Sequence, residues 1–360
     1  MTKQSEDQTI EAWIAAAAES IDYPLPEGEI TLWISHFDPC LSKDARLLAA
    51  PDSQNSSGYL RFTEAELAHA FFTTGRVPGN QREHGASSWF ELIHRLSVVP
   101  AYLRRSAANE PRLARSELAR SLDRSEKVHL SYQIGQAIAG IAARKLFDVT
   151  HPMHIDRYRN HWDVQTIDKK APDLFGQNSE GGWVVIEAKG RSNPLSPANS
   201  LDQTMKAQVG AVQSVNDAEP AWGVGSAAYF AQTGGAEALR LRLIDPPPSE
   251  TAIEPVTLRT DANQFMLAYY EPLIVFLNAM GNGEEQDGLV IASAPSIGLA
   301  VGLRASIKER IERAISDSEL DGLADDIRRQ LATEDLIYAD GSAFFTDWPS
   351  TSSGPIEEFQ

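Results

Sequence analysis

Cysteine is almost missing from this chain. Cys40 is the only one in 360 residues, which excludes an internal disulfide and any cysteine-rich zinc site. Long apolar runs are missing too. No stretch reaches the ~18 consecutive apolar residues of a membrane helix, and the longest, around 273–277 and 289–291, are of core length. The opening residues, MTKQSEDQTIEAW, are polar and acidic, and read as neither a signal peptide nor a transit peptide. There is no Walker A loop, so no ATP motor is expected. Basic charge is scarce: 32 Lys and Arg stand against 50 Asp and Glu, a net charge of −18. That balance speaks against broad nucleic-acid binding, because phosphate contacts need Lys and Arg. These absences suggest a soluble, cytoplasmic protein with no membrane partner.

What basic charge there is gathers in the middle. Residues 101–210 hold 16 basic and 12 acidic side chains, a local +4 in a chain that is otherwise −22. No internal repeat or low-complexity tract is visible. Residues 1–112 read as a helical N-terminal region. It has an Ala-rich helix over 11–21, a second over 63–73 opened by a Thr63-x-x-Glu66 capping pattern, and a third over 87–103 that Pro100 is expected to break,. Residues 113–246 read as a mixed α/β core. In LSYQIGQAIAGIAARKLF, Leu130, Ile134, Ala137, Ile138 and Ile141 recur at the helical period,. An extended piece over 149–155 follows, then the strand PDLFG, a loose loop of about a dozen residues ending in Gly181-Gly182, and a strand over 183–189. A helix over 201–215 and strands over 221–231 and 239–244 complete the core. Beyond a linker at 246–249, residues 250–345 read as an α/β C-terminal region. Its helix is opened by Asp261 and Gln264 and runs into Pro272; two strands flank Pro295, and amphipathic helices cover 308–315 and 320–331,. The tail, 346–360, reads as disordered.

The chemistry concentrates in APDLFGQNSEGGWVVIEAKGRSNP, residues 171–194. An apolar run ends abruptly in Glu187-Ala188-Lys189, and Asp173 stands fourteen residues before Glu187. Strand side chains alternate faces, so Glu187 and Lys189 point the same way. If PDLFG pairs with this strand, Asp173 lies beside Glu187. Two converging carboxylates make a hard-oxygen site suited to Mg2+, with Mn2+ as a substitute. The Ala188 carbonyl could supply a third ligand. Lys189 at the rim could orient a water or stabilise negative charge on a phosphoryl group.

Pro172-Asp173, a 13-residue spacer and Glu187-Ala188-Lys189, in a helix–strand–strand–strand–helix–strand order, resemble the PD-(D/E)XK nuclease superfamily. The resemblance covers roughly residues 115–245. It implies a restriction endonuclease-like mixed-sheet core (α-β-β-β-α-β) and a metal-dependent (deoxyribo)nuclease, with DNA the favoured substrate and restriction or host defence a fitting role. Asp173, Glu187 and the Ala188 carbonyl would hold the metal, and Lys189 would assist the attacking water. Superfamily members often carry a further acid on the preceding helix. Here that helix offers Gln133, with Glu126 seven residues earlier, either of which could complete the water network. On the following helix Gln203 is followed four residues on by Ala207, not by the Tyr of the RecB-like branch. Lys206, Arg191 and Gln203 are candidate substrate contacts.

Other patterns carry less. His151, His154 and His161 could suggest zinc, but a strand would put the first two on opposite faces. Arg157, Tyr158, Arg159 and Trp162 could form a DNA-facing loop. GVGSAA, from Gly223, imitates part of a dinucleotide fingerprint but falls inside a strand. Ser35, His36 and Cys40 make no defensible triad. The alternative readings are a catalytically inactive nuclease-fold module that binds a protein or nucleic acid, and an unrelated α/β interaction protein. A protein partner or a homodimer stays open on either.

Overall fold

The computed structural model describes residues 29–36, 48–49, 58–75, 84, 86–105, 112–157, 162–165, 171–195, 200–233, 236–244, 255–281, 283–333 and 337–346. The helix expected over 11–21, the linker at 246–249, nearly all of the tail, and Cys40, Tyr158, Arg159 and His161 lie outside the described residues. Among the described residues the protein is mixed α/β, with eight α-helices and a large mixed sheet. No helix among them is long and apolar enough to cross a membrane.

The N-terminal part is not the helical region its sequence suggests. β1 (Glu29–His36) and β3 (Gly58–Thr63) are strands, with a two-residue β2 (Leu48–Ala49) beside β3. Ile30, Leu32 and Ile34 are buried at alternate positions, a period of two rather than 3.6,. Two helices follow, α1 (Glu64–Thr73) and α2 (Ala86–Tyr102). The capping box of Thr63 and Glu66 opens α1 as its spacing predicts. Pro100 does not break α2: it sits in the last turn, and its carbonyl accepts from Arg104 Nη1 at 2.9 Å. β4 (Leu103–Arg105) and β5 (Leu113–Arg115) form a small antiparallel pair before α3 (Glu117–Ser121).

The middle of the chain builds most of the large sheet. α4 (Arg124–Phe147) is followed by β6 (Met153–His154), β7 (Trp162–Gln165), β8 (Leu174–Gln177) and β9 (Trp183–Arg191). Then come α5 (Ser200–Gly210), β10 (Val212–Val215), β11 (Trp222–Thr233) and β12 (Ala236–Ile244). The sheet order is β2-β3-β1-β12-β11-β9-β8-β6. β6, β8 and β9 run antiparallel in turn, and β11 returns parallel to β9 after α5. Trp162 belongs to β7, which pairs with β13 (Val256–Thr260) in a separate three-stranded sheet, so it is not on a DNA-facing loop.

The C-terminal part consists of α6 (Ala262–Ala279), β14 (Glu284–Gln286), β15 (Leu289–Ala294), β16 (Leu299–Arg304), α7 (Ala305–Ser316), α8 (Leu323–Thr333) and β17 (Ser342–Thr346). Its four strands form an antiparallel sheet. One hydrophobic core extends from Ile30 to Phe344. A buried polar knot ties α1 to β17. Asp340 accepts from His69 Nε2 at 2.8 Å, from Ser342 Oγ at 2.7 Å, from the Ser342 amide at 3.1 Å and from the Tyr269 hydroxyl. Burial alone would raise the Asp340 pKa; these donors and the nearby Arg144 charge overcome it and hold the carboxyl well below the usual range,.

At Gly135 and Gly190, α4 lies against β9 with no side chain between them. A Cβ on Gly135 would fall 2.6 Å from the Gly190 nitrogen, and one on Gly190 would fall 1.6 Å from the Ser131 carbonyl oxygen. Only glycine permits this approach. Gly190→Ala is therefore expected to destabilise the protein by about 3 kcal/mol, the upper range for overpacking. Urea denaturation measures it, and a loss under ~0.5 kcal/mol, the level of a neutral surface change, would mean the helix does not rest there.

Candidate active site

The β8–β9 hairpin places the acidic groups. Its loop is Asn178 to Gly182, tighter than the dozen residues its sequence suggests. Asn178 Oδ1 accepts from the Gly182 amide at 2.7 Å and the Glu180 amide at 3.2 Å, and Gly181 supplies the positive φ of 83° that the turn needs,. The ladder pairs Leu174 with Ile186, so one step further Asp173 stands opposite Glu187. The Asp173 carbonyl accepts from the Ile155 amide at 2.9 Å, which pins the end of β8. Asp173 Oδ2 accepts from the Ala188 amide at 2.9 Å. A strand residue turns its N–H and C=O to the same side, so the Ala188 carbonyl also faces the Asp173 edge.

Glu187 is 1 % exposed. One carboxylate oxygen, Oε1, pairs with the Lys189 ammonium; the other, Oε2, is buried without a hydrogen-bond partner. Burial and then the neighbouring Asp173 charge push its pKa up to about 8, against the pull of Lys189,. The Asp173 pKa is also raised, first by burial, with Lys189 and the Ala188 amide opposing. Two neighbouring carboxylates are opposed by one half-buried ammonium, which pairs with Glu187 alone. The excess negative charge is what a cation would neutralise.

α4 supplies amides to the cleft over Asp173. Gln133 Nε2 donates to His129 Nε2 at 2.7 Å, and Gln133 Oε1 is buried without a partner. Gln136 is 1 % exposed, and neither its Oε1 nor its Nε2 makes a hydrogen bond. It lies near enough to Asp173 to favour the ionised carboxylate, although no bond between them closes. Glu126 cannot serve as the additional acid: it is the capping-box residue of α4, accepting from the Asp123 amide at 3.0 Å.

His154 belongs to the site, although its sequence context gives it only as a polar residue flanking a strand. Its Nδ1 accepts from the Asp156 and Arg157 amides at 3.1 and 3.2 Å, which leaves the proton on Nε2,. Nε2 lies 3.2 Å from the Tyr132 hydroxyl and 3.8 Å from Asp173 Oδ1. Its neighbour His151 faces away, bonded to the Tyr270 hydroxyl at 2.9 Å, and burial lowers its pKa to about 4. The two do not form a zinc site, and among the described residues no three His, Cys, Asp or Glu side chains converge as metal ligands. A hard cation held here would have two carboxylates, a main-chain carbonyl and water, a set that fits Mg2+.

A cleft of about 370 Å3 opens over Asp173. α2 lines it with Glu91, His94 and Arg95; α4 lines it with His129, Tyr132, Gln133 and Gln136. A cavity of about 410 Å3 at the far end of α4 reaches His69 and Asp340, but those groups satisfy each other in the polar knot. Of the expected substrate contacts, Arg191 is exposed on the same face of β9 as Glu187 and Lys189,. α5 covers that face, its Met205 packing on Gly225, the β11 residue in register with Glu187. It carries Gln203 exposed and Lys206 half-buried. Sequence reasoning missed His154, Tyr132, Gln136 and the α2 wall. The Gln133-x-x-Gln136 spacing about Gly135 was the one visible signal. No family model, curated protein or solved structure matches this chain.

The carboxylate pair makes a pH prediction. Glu187 titrates near 8 in the folded protein against 4.5 when free, so the folded state holds the extra proton between those values. Stability of the metal-free protein then falls as pH rises through that window. Glu187→Gln keeps an acceptor for Lys189 and removes the penalty. Its melting temperature in EDTA should gain on wild type from about pH 4.5 to about pH 8. Parallel curves would mean that Glu187 ionises at no cost.

Proposed function

We propose that this protein is a divalent-metal-dependent nuclease of the PD-(D/E)XK type, hydrolysing phosphodiester bonds, with DNA the favoured substrate. One observation carries the reading. Asp173, Glu187 and Lys189 meet at the end of a buried strand, where Glu187 is 1 % exposed and keeps an unpartnered oxygen. A scaffold gains nothing from that arrangement, since an unsatisfied buried carboxylate is costly. The succession of α4, β6, β8, β9, α5 and β11, with β11 parallel to β9, is the order expected of that superfamily and supports the same reading.

Asp173 and Glu187, with the Ala188 carbonyl, would hold Mg2+, for which Mn2+ substitutes. The ion would supply a water of lowered pKa and polarise the phosphate. The Ala188 amide holds one oxygen of Asp173, and the His154 ring stands 3.8 Å from the other,. Lys189, released from Glu187, stabilises negative charge on the attacked phosphate. Gln133 Oε1, free of other partners, accepts a hydrogen bond from the attacking water and orients it. The net charge of −18 limits indiscriminate binding to DNA, which suits a cytoplasmic enzyme of restriction or host defence that depends on a particular DNA structure or a protein partner. The alternative, an inactive nuclease-fold module, is favoured by Gln133 donating to His129 in the place where an additional acid is usual.

Cleavage of supercoiled, linear and single-stranded DNA with Mg2+, Mn2+ or EDTA separates the two. Metal-dependent cutting is expected, reduced at least about 100-fold in Asp173→Ala and Lys189→Ala. Mg2+ should raise the melting temperature of wild type and not of Asp173→Asn. No cutting and no metal-induced stabilisation would leave the inactive module.

A further inference from the structure

The cleft over Asp173 has walls that phosphodiester hydrolysis does not require, and their chemistry describes an occupant. Its volume, about 370 Å3 between α2 and α4, admits a single nucleotide unit and excludes a duplex. Among its polar groups are amide atoms with no hydrogen-bond partner. Gln136 is 1 % exposed with both side-chain polar atoms unpartnered, and Gln133 Oε1 is also unpartnered. A primary amide offers a donor and an acceptor side by side, the pattern that pairs with a nucleobase edge.

The walls are also aromatic. His94 of α2 and His129 of α4 face each other nearly parallel, with ring centroids 6.2 Å apart and planes 19° from parallel. The gap between them is too narrow for a base, but both rings are exposed and an outer ring face can receive an unstacked base,. The charge balance argues against a phosphate inside. Glu91, Asp156 and Asp173 line the cleft, and Arg95 directs a guanidinium nitrogen onto the Thr74 carbonyl at 2.6 Å. A neutral, planar group with hydrogen-bonding edges fits these walls. The basic Arg157 stands instead in the adjoining hollow with His84 and Glu91, where a flanking phosphate can reach it.

We infer that this cleft binds an unpaired nucleobase, so that the carboxylate site beside it acts on single-stranded nucleic acid or on bases already out of the helix. The inference rests on the nuclease reading for the role of the carboxylates, but its test involves no cleavage. Fluorescence anisotropy in low-salt EDTA buffer would compare a labelled single strand, the matched duplex, and the same strand with abasic sites. The single strand should bind at least about tenfold tighter than either of the others, in line with the contribution of one stacked base. Gln136→Leu, and His94→Ala combined with His129→Ala, should remove that preference. Should a variant fail to fold, the abasic comparison on wild type decides alone. Equal binding of duplex and single strand, undiminished binding of the abasic strand, or no binding to any of the three would overturn the inference. Base-dependent binding without metal-dependent cleavage would sink only the nuclease reading. Duplex cleavage without base-dependent binding would sink only this one.

Discussion

The contact of Gly135 with Gly190 is the constraint on which the site depends. Helix and strand meet backbone to backbone, with the Ser131 carbonyl resting where a Gly190 side chain would be. Any larger residue would lift α4 off β9 and carry Tyr132, Gln133 and Gln136 away from Asp173. The glycine that follows Lys189 in IEAKG is therefore part of the site's construction, although it contributes no chemistry. The same contact explains how amides on a helix come to line the cleft over Asp173.

Two carboxylates show what this arrangement costs. Asp340 and Glu187 are each 1 % exposed. Asp340 receives donors from His69, Tyr269 and Ser342, and its pKa falls. Glu187 has one ammonium, stands beside the Asp173 charge, and its pKa rises to about 8. Equal burial gives opposite outcomes because the number of donors differs. The first carboxylate holds the N-terminal helix to the C-terminal sheet. The second is left poorly satisfied although the fold around it is well packed.

The local parts of this arrangement were legible in the sequence. Strand alternation put Glu187 and Lys189 on one face, the Thr63–Glu66 spacing marked a helix start, and the apolar period of 130–141 marked α4. What depended on distant pairing was not. β1 reads as part of a helical region until it is seen to lie parallel to β12, about two hundred residues later,. Glu126 looks like a candidate acid until its carboxylate is found on the Asp123 amide, a competition between cap and catalysis that spacing alone cannot decide,. His154 could not be distinguished from His151 by sequence. The difference arises when β6 pairs with β8 and turns one ring toward Asp173, while the other is buried against Tyr270.

The acidity of the chain and its candidate chemistry look opposed, but the cleft reconciles them. A protein of net charge −18 would gain little from the phosphates of a long duplex, whose affinity comes from cations that are outnumbered here. A site that instead grips one base by stacking and amide hydrogen bonds needs few cations. It also gains selectivity, since a base inside a duplex must first be unpaired to enter. On that argument the acidic surface and the imidazole-lined cleft serve the same end. If the cleft takes an unpaired base as inferred, the first would weaken binding to intact DNA and the second would restore it only where a base is free.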